Sequence, residues 1–171
     1  RQPQLQLRLP TERYYEEEGR AELTPRDFGI LMHRVFENAA TTDEIYTAIE
    51  AMTQDGVLDE KEAPRLRELV EKALADPVTA EWFGGRWQVV RNENEIILPG
   101  SGTTRRPDRV MTDGERAVVV DYKFGDRETA RHRKQIREYL RLLRQMGYTR
   151  TEGYLWYVRL GRTERVEEKE D

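Results

Sequence analysis

The sequence predicts an α/β (α+β) fold: a mixed sheet of about four strands flanked by helices, with an N-terminal helical segment. Three observations carry this. Apolar residues recur at helical spacing in three segments before Trp82. Three stretches rich in β-branched residues follow, between residues 87 and 123, and a helical and a strand-like segment, residues 128–146 and 153–160, close the order. Helices, three strands, a helix and a strand make a layered arrangement in which one sheet carries helices on its faces.

The first helix has the clearest start signal. In "LTPRDFGILMHRVFENA", Thr24 is placed to cap, Pro25 to occupy the first helical position and Asp27 to complete a capping box, after which Phe28, Leu31, Met32, Val35, Phe36 and Ala39 share one face. Residues 43–53 and 60–75 make two more amphipathic helices, and Pro77 is read as the stop of the second. The strands are expected over residues 87–98, 105–111 and 116–123, with Asp113-Gly114 as the hairpin turn between the last two. On the helix of residues 128–146, Ile136, Leu140 and Leu143 form the core face. Gln135, Tyr139, Leu142 and Met146 form its shoulder, and Arg133, Arg137, Arg141 and Arg144 line another side. Residues 1–23 read as a lead-in, 24–162 as one domain with a helical part to residue 80 and a core at 85–160, and 163–171 as a solvated acidic tail.

Composition narrows the possibilities. The 171 residues fit one domain able to bury a sizeable core. The absence of cysteine removes disulfide frameworks and thiolate metal sites and favours a reducing, cytoplasmic location, and no apolar run approaches the ~18 residues of a membrane span. A net charge of −4 argues against a nucleic-acid partner when taken as a total. Its distribution is polarised, however: residues 12–76 hold 17 acidic and 8 basic side chains, whereas residues 121–150 hold 9 basic and 4 acidic. One face of the molecule can therefore be basic. No G-x-x-x-x-G-K-[ST] phosphate loop is present, so the chain cannot drive nucleotide-powered unwinding itself.

The chemistry concentrates in "RRPDRVMTDGERAVVVDYKFG", residues 105–125. A turn symmetric about Asp113-Gly114 sets Asp108 opposite Val119, so that Val119, Asp121 and Lys123 share the face of Asp108. Asp121 is then the diagonal neighbour of Asp108, roughly 7–8 Å away, and both carboxylates can reach one hard divalent cation. "AVVV" leads into Asp121 as a strand buried on both faces, where an uncompensated acid is costly. A plainer alternative is that Lys123 and a nearby arginine neutralise Asp121 in a solvated rim. Glu93 and Glu95 share a face of the preceding strand, and either is a candidate further ligand or base.

"RPD" at 106–108 followed by "VVVDYK" at 118–123 resembles the PD-(D/E)xK nuclease superfamily, most nearly the nuclease domain of RecB/AddA-type helicase–nucleases. "GILMH" (29–33) fits the family's G-x-x-x-H, "QIREY" (135–139) its Q-x-x-x-Y, and "GYLWYV" the strand that follows. The likeness runs over residues 28–160. It implies a restriction-endonuclease-like core and a Mg²⁺- or Mn²⁺-dependent deoxyribonuclease. Asp108, Asp121 and Lys123 would be its catalytic residues, and His33, Asp108, Asp121 and the Tyr122 backbone carbonyl its metal ligands, with Glu93 as a further candidate. It also implies that Gln135 and Tyr139 help position DNA, while Arg133, Arg137 and Arg141 offer phosphate contacts. An imidazole ligand suits Mn²⁺ better than Mg²⁺. The partners implied are single-stranded DNA, a helicase motor upstream in the same polypeptide, which accords with a start on Arg1 rather than Met, and a second helicase–nuclease subunit; the context would be double-strand-break repair and recombination. Two rival readings stand beside this one: a non-catalytic DNA-guiding or docking module on the same scaffold, and a plain structural domain with a salt-bridged hairpin.

Overall fold

The computed structural model describes residues 22–93, 106–125 and 130–168. Four helices come first: α1 (Pro25–Glu37), α2 (Thr42–Gln54), α3 (Ala63–Ala73) and α4 (Pro77–Trp82). The strands β1 (Val89–Asn92), β2 (Arg109–Asp113) and β3 (Arg116–Lys123) follow, then α5 (Ala130–Gln145), β4 (Arg150–Tyr157) and β5 (Arg162–Val166). The sheet order is β1-β2-β3-β4-β5. All pairings are antiparallel except β3 with β4, which run parallel and are joined through α5. This is the crossover connection that parallel neighbours require.

The capping box of α1 forms as expected: Thr24 accepts from the Asp27 N–H, and the Thr24 N–H donates to Asp27 at 2.8 Å. Pro77 does more than end α3. Asp76 accepts from the Val78 N–H at 2.8 Å and Pro77 opens α4, a six-residue helix unforeseen from the sequence.

Alternation along β3 divides the core in two. Met111, Val118, Val120, Tyr122 and Trp156 face α1–α4, while Val110, Ala117, Val119, Leu155 and Tyr157 face α5. Ala117 to Val120 are fully buried, so β3 is covered on both faces. On the α5 side, a Cβ at Gly153 would lie 2.5 Å from Ile136 and 3.2 Å from Leu140, so glycine is what allows α5 to lie this close to β4. On the other side, Phe36 stacks on Trp156 with centroids 4.9 Å apart, and Tyr122 meets both rings edge-on. Aromatic pairs of this kind add ~0.5–1.5 kcal/mol beyond area burial. They fix α1 against the carboxyl end of β3.

Three expectations need correcting. The sheet has five strands rather than about four, because residues 162–166, counted mostly with a solvated tail, form β5 on the edge beside β4. The strand expected at 105–111 is β2, displaced to Arg109–Asp113, and the one expected at 153–160 is β4, at Arg150–Tyr157. The third correction is the hairpin register. Arg109 pairs with Val120 and Asp113 with Arg116, so the turn centres on Gly114-Glu115 rather than Asp113-Gly114. Gly114 takes φ +58° at the first central position, while no non-glycine residue among those described has positive φ, the pattern of a type II′ hairpin turn. The lead-in over residues 1–21, the end of the strand expected at 87–98 with Glu95, the start of the strand expected at 105–111, the start of the helix expected from 128 and the tail end at 169–171 lie outside the described residues.

Candidate metal centre

Asp108 immediately precedes β2. One step beyond Arg109–Val120 in the ladder puts it directly opposite Asp121, not opposite Val119. The shift is two residues, so the face is preserved: Asp108, Asp121 and Lys123 still lie on one side of the hairpin, and the two aspartates are closer than a diagonal pair. A reciprocal lock holds them. The Asp108 N–H donates to Asp121 Oδ1 at 3.0 Å, and the Tyr122 N–H donates to Asp108 Oδ2 at 2.7 Å. Two carboxylates thus take over the backbone pairing where the strands part, and both side chains are oriented before any ligand arrives.

His33 reaches the same place from α1. Its Nε2 lies 3.1 Å from Asp108 Oδ1, and its Nδ1 lies 3.3 Å from Glu37 Oε2, one turn further along the helix. The carboxylate on the far nitrogen fixes the ring's orientation, as is usual for histidines that bind metal. The hydrogen bond that His33 makes to the Asp108 carboxylate raises the His33 pKa above its usual value, opposed by burial and assisted by the charges of Asp108, Glu37 and Glu93. Gly29 stands four residues before His33, and a Cβ there would meet Phe124 Cβ at 3.3 Å. The G-x-x-x-H spacing therefore has a local cause: the bare turn at Gly29 admits Phe124, whose ring contacts His33 edge-on at 5.7 Å, and so draws the end of β3 against α1.

Glu93 completes the cluster. Donor atoms of His33, Glu93 and Asp108 all lie within 4.8 Å of one another. Burial, followed by the charge of Asp108, raises the Glu93 carboxyl pKa. Carboxylates crowded in this way repel one another, and a divalent cation relieves that repulsion. One imidazole nitrogen with several carboxylate oxygens suits Mn²⁺ or Mg²⁺. Of the two glutamates weighed from the sequence, Glu93 is at the site and Glu95 lies outside the described residues.

Lys123 sits on the lip of this cluster. Its Nζ is 3.9 Å from Asp121 Oδ2, beyond hydrogen-bond length, so charge rather than a fixed bond holds it there. Its neighbour across the parallel ladder is Tyr157, whose buried hydroxyl has no hydrogen-bond partner among the described residues. Gln135, on the first half of α5, likewise holds a buried side-chain oxygen with no partner among the described residues. Tyr139 packs in the core on the α5 side. Of the arginine stripe, Arg133 pairs with Glu164 of β5, Arg144 pairs with Glu168, and Arg137 donates to the Glu167 carbonyl at 3.2 Å. Arg141 is exposed.

Two contributors escaped the sequence reading. Glu37 was detectable, four residues after His33 on the same helical face. Arg109 was not, since a charged residue in a strand ordinarily faces water. Here it is fully buried and donates to the carbonyls of Ala39 (2.6 Å), Ala40 (2.7 Å) and Trp82 (2.7 Å), with its guanidinium 3.9 Å from the Phe83 ring centroid. The residue beside Asp108 thereby clasps the backbone just beyond α1, the helix that carries His33.

No helix among the described residues is long and apolar enough to cross a membrane. Comparison with curated proteins finds no match. The family model of the PD-(D/E)XK nuclease superfamily matches residues 4–171. An aspartate pair at a hairpin mouth with a lysine two residues on is the arrangement that family's name describes, and the match takes in nearly the whole sequence: the chain belongs to the PD-(D/E)XK nuclease superfamily.

Proposed function

We propose that the chain is a Mg²⁺- or Mn²⁺-dependent deoxyribonuclease domain that hydrolyses phosphodiester bonds in single-stranded DNA. The observation that carries this reading is the facing pair Asp108 and Asp121, with His33 Nε2 3.1 Å from Asp108 and Lys123 beside Asp121. Asp108, Asp121, His33, the Tyr122 backbone carbonyl and Glu93 would hold the ion, which when bound supplies Lewis acidity to the phosphate and lowers the pKa of a water. The protein's own residues do the rest. Asp108 and Asp121 are pre-oriented by the reciprocal backbone bonds, and Glu37 holds the imidazole. Lys123 places positive charge where the attacked phosphate gathers negative charge, and such preorganised charge is the largest usual contribution to catalysis. Gln135 offers a buried amide to the substrate, and Tyr139 supports its helix from the core. Arg141 is the most available cation of the arginine stripe for phosphate contact, while Arg133 and Arg137 would have to exchange their β5-side partners to make one.

The finer reading is an exonuclease V-like activity in double-strand-break repair and recombination. The strand would be delivered by a helicase motor in the same polypeptide, with a second helicase–nuclease subunit as partner and the cytoplasm as location. The motif spacings of Gly29–His33 and Gln135–Tyr139 support it, as does a net charge of −4, which suits a domain that need not capture DNA unaided. Incubation with end-labelled single-stranded DNA tests the proposal. Cleavage that requires Mg²⁺ or Mn²⁺, stops with EDTA and disappears in Asp121→Ala is expected. DNA binding without cleavage under any of these ions would instead assign a guiding or docking role.

A further inference from the structure

Next to the metal centre is a cavity of about 310 Å³ between α1, α3 and the turn that joins β4 to β5. That is within the range of small-molecule sites, ~300–1,000 Å³. Its floor is apolar, formed by Phe28, Met32, Leu69 and Val158, and Leu160 stands at its edge as one of three exposed large apolar side chains among the described residues. Arg65, Lys72 and Arg159 also line it, and no acidic residue among those described does. Arg65 is held 4.8 Å above the Phe28 ring and pairs with no carboxylate among the described residues. The 3.4 Å contact of Lys72 with Glu68 joins two exposed groups and is easily exchanged for another anion.

Both walls run into the catalytic cluster. Gly29 lines the cavity and precedes His33 by four residues, about 6 Å along the helix. From the other wall, the Val158 N–H donates to the Lys123 carbonyl at 3.0 Å. An apolar floor beneath a ring of cations is complementary to one unstacked nucleotide, with its base against Leu160 and the Arg65 plane and its phosphate among the cations.

We infer that this cavity is a nucleotide subsite that holds the substrate strand beside the bond to be cut. The inference rests on the nuclease reading for the identity of its ligand. It also gives α3 a function, since Arg65, Leu69 and Lys72 all belong to that helix. A base still paired and stacked in a duplex cannot enter such a hollow, so the subsite selects single strands.

The test is fluorescence anisotropy with labelled octathymidylate in EDTA over a range of KCl, comparing the intact protein with Arg65→Ala/Lys72→Ala, Leu160→Ser and the control Arg67→Ala, whose side chain is on α3 but outside the cavity. Circular dichroism verifies folding of each. The double variant should bind at least tenfold more weakly, with the slope of log K against log salt reduced by about 1.4 for two lost phosphate contacts, and the control should match the intact protein. Leu160→Ser should weaken binding of the normal oligonucleotide and leave an abasic one unaffected. An unchanged affinity and slope in the double variant, or equal losses in the control, would overturn the subsite. Its failure is separable from that of the nuclease reading. Metal-dependent cutting by the intact protein with normal binding by the double variant removes only the subsite; binding lost in the double variant, with no cutting by the intact protein, removes only the nuclease.

Discussion

Replacing Arg109 with lysine keeps a positive charge next to Asp108 but removes the fork that spans three carbonyls. In the native protein the two terminal nitrogens donate to Ala39, Ala40 and Trp82 at 2.6–2.7 Å, and the guanidinium plane lies 3.9 Å from the Phe83 centroid. An ammonium is a single centre and cannot occupy both nitrogen positions, so at least one buried carbonyl loses its donor, at ~1–3 kcal/mol, and the desolvated ring contact forfeits up to ~2 kcal/mol. Side-chain burial is complete, so solvent screening does not reduce these figures. Together they place the loss at about 1–5 kcal/mol, against the ~5–15 kcal/mol that stabilises a typical domain. Urea denaturation measures it: with a slope of about 2 kcal/mol per molar, the midpoint should fall by roughly 0.5–2.5 M with the slope unchanged. Since the carbonyls directly follow the helix that carries His33, Mn²⁺ affinity should fall as well. A midpoint within about 0.3 M of the native value would show that these carbonyls find other donors and that Arg109 is no clasp.

Three further outcomes follow from the same geometry. Gly153→Ala drives a methyl into Ile136 and Leu140, and overpacking of this kind costs ~1–3 kcal/mol; thermal melting should show a drop of about 2–4 °C per kcal/mol, whereas an unchanged midpoint would mean that α5 can slide at no cost. Glu37→Gln removes the carboxylate behind the imidazole and should weaken Mn²⁺ binding by ~10–100-fold in calorimetric titration, while equal affinity would exclude Glu37 from orienting His33. Lys123→Ala should lower the cleavage rate by ~10²–10³-fold at saturating metal and leave metal affinity intact; loss of metal binding would contradict the role given to Lys123.

What the sequence revealed depended on how local each signal was. The capping box of α1 and the helical spacing from Phe28 to Phe36 are contained within a few turns, and both appear as read. The shared face of Asp108, Asp121 and Lys123 survived a two-residue error in register because side-chain direction depends only on parity. The register itself was open to error, since Asp-Gly suits a turn centred on that pair and a glycine can equally lead a type II′ turn into Glu115. β5 was hidden by "RTERV", whose charges are normal for an edge strand and equally normal for a solvated tail. The partners of the arginine stripe were hidden with it, because Glu164 and Glu168 meet α5 only once the chain has turned back beside β4. Arg109 could not be read at all: its value arises from three carbonyls distant in sequence, converging on one guanidinium.

That a divalent ion sits between His33, Glu93 and the aspartate pair is the claim on which the functional account depends. Anomalous diffraction from crystals soaked in Mn²⁺ measures it directly. A single strong peak is expected within coordination distance of Asp108 and Asp121, sharing a ligand with His33 and absent from Asp108→Asn crystals. Full density for these side chains with no peak between them, at Mn²⁺ concentrations that support cleavage, would contradict the assignment of the site.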